Sequence, residues 1–172
     1  MTPGLRRMSA VVAAPLLILT AAAAGFAGSA EDAVFSLIDA MRAAKKLNEP
    51  AFAKLAQCRF AGAGDASNRY FRILRGACDH PLVRETELRI PTAASSARDG
   101  LALVELRPGP CVDLKAATRR YGEGEPQFPS PTAPADAPMY LRYIGEEQRM
   151  SLAFQRDAPF CLVRVVIDRT AR

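Results

Sequence analysis

The side chains with the chemistry for covalent or acid–base catalysis lie close together in one stretch of this 172-residue sequence. Cys78, Asp79 and His80 are consecutive, and an imidazole beside a thiol can hold it as the nucleophilic thiolate. Glu85 and Glu87 follow two positions apart, so on a strand they would share one face and could act as acid and base. These residues define an enzymatic hypothesis, a small hydrolase that uses Glu85, Glu87 and His80.

Other features of the sequence argue against catalysis. A chain that leaves the cytoplasm is expected to bridge its 4 cysteines, and a bridged Cys78 cannot attack a substrate. His80 is the only histidine, and a role in capping a loop or at the surface explains it equally well. The two glutamates lie among arginines, as on a solvated strand face. No GxSxG, HExxH, Walker or GxGxxG motif occurs. We therefore predict that the protein is not an enzyme and needs no cofactor.

The four cysteines predict two disulfides. Three pairings are open from the sequence. We favour Cys58–Cys78 and Cys111–Cys161, because each pair then lies within one half of the chain. A metal site is the alternative, but the spacings are wide, no CxxC occurs and one histidine is available. The sequence therefore predicts no metal centre.

The first thirty residues have the pattern of a secretory signal peptide. Arg6 and Arg7 precede an apolar stretch, residues 8–24, and small residues follow up to Ala30. A membrane anchor is the alternative, but this stretch is shorter than the roughly 20 residues that a spanning helix needs. We predict that residues 1–30 are cleaved after Ala30, that residues 31–172 form one domain without a stable membrane anchor, and that the protein is periplasmic or secreted.

The charge of the chain is moderate. The sequence has 23 Lys and Arg against 18 Asp and Glu, and loss of Arg6 and Arg7 leaves 21 basic residues and a net charge of +3. The basic residues are also scattered, so the sequence predicts no nucleic-acid partner.

Helical signals occur in two regions. Apolar residues recur at helical spacing over residues 32–47, and Asn48 is placed to cap a second helix that runs to about Cys58. These two helices are expected to form a hairpin. Asp113 is placed to cap a third helix that ends before Gly122.

Strand signals fill most of the remaining sequence. We expect strands over residues 82–90, 101–107, 139–144, 149–155 and 160–168, while residues 68–74 could form a strand or a short helix. Alternation in the last strand places Cys161, Val163, Val165 and Ile167 on one face, so we expect a buried Cys161. The fold class is α+β, with the helical hairpin and a further short helix packed on an antiparallel sheet, and with 31–107 and 108–172 as possible degenerate halves.

The second half of the chain resembles a known repeat. The segments VDLKAATRRYGEGEP, YLRYI, MSLAFQ and CLVRVVID, within residues 112–168, resemble the helix-then-meander repeat of the β-lactamase-inhibitor-like proteins. They are also similar to the outer-membrane-assembly lipoproteins of the same plan. The resemblance implies a domain that binds another protein through an exposed sheet face and loops.

Candidate contact residues lie in and after a proline-rich loop, residues 123–138. Phe128 is the one bulky apolar residue of that loop, and prolines reduce the freedom that a loop loses on binding. Tyr140, Arg142 and Tyr143 combine residue types that are enriched at protein interfaces. The alternatives are half-buried aromatics shielded by arginine, and a tolerated surface insertion.

Together these features predict an exported, periplasmic, non-enzymatic domain that binds and neutralises a protein partner, as inhibitors and effector-immunity proteins do. The first alternative is an envelope-maintenance module that docks onto an outer-membrane or cell-wall complex. The second is the small hydrolase described above.

Overall fold

The computed structural model describes residues 29–62, 68–109 and 111–170. It contains three helices and eight strands in the described part. The helices are α1 (Ala30–Ala43), α2 (Glu49–Leu55) and α3 (Leu114–Tyr121). The strands are β1 (Cys58–Gly62), β2 (Phe71–Cys78), β3 (Val83–Pro91), β4 (Leu101–Leu106), β5 (Glu125–Gln127), β6 (Met139–Ile144), β7 (Arg149–Phe154) and β8 (Leu162–Asp168).

The predicted signal peptide lies almost wholly outside the described residues, which begin at Ser29. Among the helices that are described, none is long and apolar enough to cross a membrane. Ser29 caps α1: its hydroxyl accepts a hydrogen bond from the Asp32 amide (3.1 Å), and the Asp32 carboxylate accepts one from the Ser29 amide (3.0 Å). The cap thus lies on the N-terminal side of the cleavage point predicted after Ala30.

The other helix ends follow the sequence signals closely. The Asn48 side chain accepts a hydrogen bond from the Ala51 amide at the start of α2, and Asp113 accepts one from the Ala116 amide at the start of α3 (2.7 Å). Gly122 ends α3 with a φ of 83°, a conformation that glycine adopts without steric cost. The caps predicted for the second and third helices are therefore confirmed.

All eight strands form one antiparallel sheet with the order β1-β2-β3-β4-β8-β7-β6-β5. It consists of two four-stranded meanders, and the last strand of each meander lies at the centre. There β4 pairs with β8 from Leu101 opposite Asp168 to Glu105 opposite Arg164. The predicted α+β class with an antiparallel sheet is confirmed.

The hydrophobic core lies between the helices and one face of this sheet. Helix residues such as Ile38, Met41 and Phe52 are fully buried, as are Val104 and Val165 at the centre of the sheet. Burial of side chains of this size stabilises by about 1.5–3 kcal/mol each relative to exposure. The core-facing positions alternate along each strand, which leaves a second set of side chains on the opposite face.

The structure corrects the sequence predictions in the first half of the chain. The first helix ends at Ala43, and the second ends at Leu55, not at Cys58. Gln57 has a φ of 51°, a left-handed conformation that turns the chain out of the helix and into β1. Residues 71–78 form a strand, which settles the open choice for residues 68–74.

Both predicted disulfides are present, Cys58–Cys78 and Cys111–Cys161. The expectation that Cys161 is buried was wrong, because Cys111 is exposed and Cys161 only half-buried. A register shift between β7 and β8 is the reason: Ala153 lies opposite Arg164, and Phe154 lies opposite Leu162. This bulge interrupts the alternation.

The bulge also changes which side chains of β8 reach the core. Leu162, Val165 and Ile167 are buried, whereas Val163, which was expected on the same face, is only half-buried. The proline-rich segment also contains a strand that was not predicted, β5, which pairs with the edge of β6.

Candidate protein-binding face of the sheet

The face of the sheet that points away from the core has no helix of the described chain packed on it. We call this surface the open face. One row of side chains across it follows the strand pairings and runs through Glu87, Leu103, Val166, Ser151 and Arg142. Each of these positions alternates with a core position on its own strand, so the same backbone that builds the core also fixes this surface.

An ion-paired group lies beside the centre of the open face. Arg164 Nε donates a hydrogen bond to Glu105 Oε1, and Arg164 Nη1 donates to the Tyr140 hydroxyl (3.0 Å). Arg84 Nη2 lies 3.7 Å from the other oxygen of Glu105. Glu105 is 8% exposed. Burial opposes the charge on Arg164, but the hydrogen bond and the negative charge of Glu105 outweigh it and raise the pKa of Arg164.

A second group surrounds Glu87. Its carboxylate contacts Arg75 Nε at 3.2 Å and Arg89 Nε at 2.8 Å. These side chains line a shallow depression of about 290 Å³, with Leu103 in its wall. Two guanidinium groups share the Glu87 carboxylate, and Glu85, Glu105 and Arg164 line the same depression, so three arginines face three glutamates there.

The middle of the open face is apolar. Leu103 on β4 and Val166 on β8 are direct partners across the central strand pair, and both are half-buried. Leu101 lies two residues from Leu103 on the same face and is also half-buried. A small apolar patch is thus surrounded by arginine, glutamate and tyrosine side chains.

The structure divides the predicted contact residues between two faces. Tyr140 and Arg142 lie on the open face. Tyr143 lies in register with Met150 on the core-facing side and packs edge-on against Tyr121, with 6.0 Å between ring centroids. Its hydroxyl is buried, with no hydrogen-bond partner in the described part of the chain. Tyr143 therefore does not share a surface with Tyr140 and Arg142.

Among the described residues, Phe128 is the most exposed large apolar residue, with 75% of its surface accessible. It directly follows Gln127, which pairs with Tyr140, so it lies beyond the edge strand at the Tyr140 end of β6. The rest of the loop turns twice: the Ala133 amide donates to the Ser130 carbonyl and the Ala137 amide donates to the Pro134 carbonyl. Phe128 and Tyr140 can therefore belong to one contact surface.

The residues of the enzymatic hypothesis have other contacts. His80 Nδ1 accepts a hydrogen bond from the Leu82 amide (3.2 Å), and burial lowers the pKa of His80. Cys78 is held in a disulfide and offers no thiolate. Glu85 faces Arg84 at 3.6 Å, and Glu87 is bound by its two arginines.

Within residues 29–62, 68–109 and 111–170, no group of three or more His, Cys, Asp or Glu side chains is arranged to hold a metal ion. Comparisons of the chain with protein-family models, curated proteins and solved structures give no match.

Sequence reasoning missed four residues of the open face: Glu105, Arg164, Leu103 and Val166. A signal for two of them was present. Glu105 interrupts the apolar strand LALVEL, and Arg164 interrupts LVRVVID. A charge inside each of two largely apolar strands, of opposite sign in the two, predicts that the strands are neighbours, because a charge on a half-buried strand needs a partner.

Proposed function

We propose that this protein is an exported, non-enzymatic binding domain that holds a partner protein against its open face and neutralises it, as an inhibitor or immunity protein does. The observation that carries the proposal is an eight-stranded sheet with helices packed on one face only. In most proteins, either both faces of a sheet are covered by other elements, or one face is covered and the other carries polar residues exposed to solvent. Here the second face has an apolar centre, which is typical of interaction surfaces.

The composition of the open face supports protein binding over small-molecule chemistry. Tyr140, Arg142 and Arg164 are of the types that dominate binding energy at protein interfaces. The depressions on this surface are shallow, whereas small-ligand sites are usually deep and mostly apolar.

Export is part of the proposal. The two disulfides are consistent with an extracytoplasmic protein, since such bonds persist in oxidising compartments. The periplasm is the compartment that we propose, on the basis of the signal-peptide pattern in residues 1–30.

The experiment is affinity capture with the oxidised mature protein, residues 31–172, as bait on envelope extracts and on secretions of neighbouring cells. A single stoichiometric protein partner is expected. Tyr140→Ala should weaken its binding at least tenfold, and Phe128→Ala should weaken it less. Lys115→Ala, an exposed change on α3, is the matched control and should leave affinity unchanged.

The identity of the captured protein separates the two binding functions. An enzyme or toxin whose activity falls on binding supports inhibition or immunity. A structural component of the envelope would instead make the domain a docking module. No captured protein, or a partner that binds Tyr140→Ala as tightly as the native protein, would contradict the proposal.

A further inference from the structure

The arginines on and beside the open face are neutralised, with one exception. Six of them form ion pairs with carboxylates: Arg59, Arg75, Arg84, Arg89, Arg149 and Arg164. Arg142 has no carboxylate within 4.0 Å in the described part of the chain, although Glu125 is its cross-strand partner on β5. The half-buried Arg142 therefore has a neighbouring counter-charge in Glu125, but its guanidinium N–H donors take part in no ion pair of the described residues.

The strand pairings give the distance between Arg142 and the apolar patch. Val166 pairs with Ser151, and Ser151 pairs with Arg142, so Arg142 lies two strands from Val166. With strands about 4.8 Å apart, the separation is roughly 10 Å. At the opposite end of the row, Glu87 is shared by two arginines. The apolar patch thus has arginine side chains on both sides.

We infer that the open face selects a partner that presents a bulky apolar side chain flanked by a carboxylate. The apolar group rests on Leu103 and Val166, and the carboxylate binds Arg142 through paired N–H···O hydrogen bonds. This inference rests on the proposed function and names the chemistry of the partner that it requires.

The acids on the same face exclude a polyanion as the partner. Glu105 and Asp168 lie on strands β4 and β8 beside the apolar patch, already bound to arginines. A phosphate backbone laid across this surface would meet these carboxylates, which already occupy the neighbouring arginines. A single carboxylate next to an apolar side chain would meet Arg142, with Glu125 as its cross-strand neighbour, while the apolar group meets the Leu103–Val166 patch.

The test is a phage-display selection of random, disulfide-closed ten-residue peptides on the oxidised protein. Parallel selections use Arg142→Glu, Val166→Asp, and Arg156→Glu as a matched charge reversal in an exposed turn. The native protein and Arg156→Glu should enrich Asp or Glu beside Phe, Trp, Leu or Ile. Arg142→Glu should lose the acid and retain the apolar residue, and Val166→Asp should lose the apolar residue.

Synthetic peptides from the native selection provide the affinities. Arg142→Glu should weaken binding at least tenfold, Arg142→Lys by a smaller factor, and Arg156→Glu by less than twofold. Thermal unfolding of each variant confirms that it folds. Enrichment without acids, an unchanged motif on Arg142→Glu, or no enriched sequence at all would overturn the inference. A different result would contradict the proposed function alone: the acid–apolar motif would be selected, but the envelope capture would yield no partner protein.

Discussion

While both disulfides are intact, they are expected to differ by more than three orders of magnitude in their resistance to reduction. Cys58 and Cys78 are each 4% exposed and belong to the core. Cys111 is exposed and Cys161 is half-buried. A small dithiol therefore reaches the Cys111–Cys161 bond in the folded protein, whereas it reaches the Cys58–Cys78 bond only when the core opens.

The size of the difference follows from the cost of opening. If the core opens at about 5 kcal/mol, about one molecule in 5,000 is open, and reduction of the buried bond is slower by a factor of about 5,000 while the surface bond is intact. The sequence separations of 20 and 50 residues correspond to chain-entropy contributions of about 3.3 and 4.1 kcal/mol. Loss of the surface bond therefore destabilises the fold by about 4 kcal/mol. Opening then costs only about 1 kcal/mol, so reduction of the buried bond speeds up by a factor of about 10³ and lags behind that of the surface bond only severalfold.

The assay is a time course with dithiothreitol, quenched with iodoacetamide and read by peptide mass spectrometry. Label should appear first on Cys111 and Cys161, and later on Cys58 and Cys78. A variant with Cys111→Ala and Cys161→Ala should lose about 4 kcal/mol in urea unfolding and should be labelled faster at the buried pair. In denaturant, both bonds of the native sequence should be reduced at similar rates. Simultaneous labelling under native conditions, or the reverse order, would refute the assignment of core and surface bridges.

Other single changes test the ion pairs, the histidine and a helix end. Arg164→Met leaves the buried carboxylate of Glu105 with Arg84 as its one remaining arginine, 3.7 Å away. The free energy of unfolding measured in urea should fall by about 2 kcal/mol. Adding Glu105→Gln should then recover about half of that loss, and no recovery would contradict the pairing. Burial lowers the pKa of His80 below 6.5, so as the pH falls the unfolded chain binds a proton at this imidazole before the folded protein does. His80 therefore leaves the free energy of unfolding unchanged above pH 6.5 and reduces it as the pH drops below 6.5. NMR titration of the single histidine checks this, and a midpoint at or above 6.5 contradicts it; His80→Gln should remove the effect. Gly122→Ala forces a side chain into a φ of 83° and should cost about 1 kcal/mol in thermal unfolding, whereas an unchanged midpoint would exclude this strain.

The parts of the fold that could be predicted from the sequence have local signals. Asp113 and Gly122 bound α3 as expected, and the strand Met139–Ile144 has the predicted limits. Capping, proline positions and alternation act within a few residues, so they can be read without knowledge of the rest of the chain.

The parts that were missed depend on distant contacts. The Cys58–Cys78 bridge was predicted, but the strand that begins at Cys58 was not, because no local signal predicts that residues 58–62 pair with β2. The bulge beside Ala153 is set by the pairing of β7 with β8, and it reverses the expected face of Val163. Whether a segment forms a helix or a strand was therefore easier to predict than the register in which the strands pair.

The candidate site was predicted only in part. Tyr140 and Arg142 lie on the open face, but Tyr143 does not. Strand alternation alone could have separated Tyr143 from Tyr140, since residues an odd number of positions apart on a strand point to opposite faces. Leu103 and Val166 could not have been predicted as neighbours, because the pairing of β4 with β8 joins the two meanders.

The pairing of β4 with β8 also indicates which residues should contribute most of the binding energy. Glu105 and Arg164 are 59 residues apart in sequence, and they meet because β4 and β8 are adjacent at the centre of the sheet. The opposite side of the same two strands carries Val104 and Val165, both fully buried. The backbone below the apolar patch is thus held by the core, and a partner that docks there has little chain to order. Phe128 lies in a loop beyond the edge strand, where docking must also immobilise the loop. The central strands should therefore contribute more to affinity than the loop, even though Phe128 is the most exposed aromatic residue in the described part of the chain.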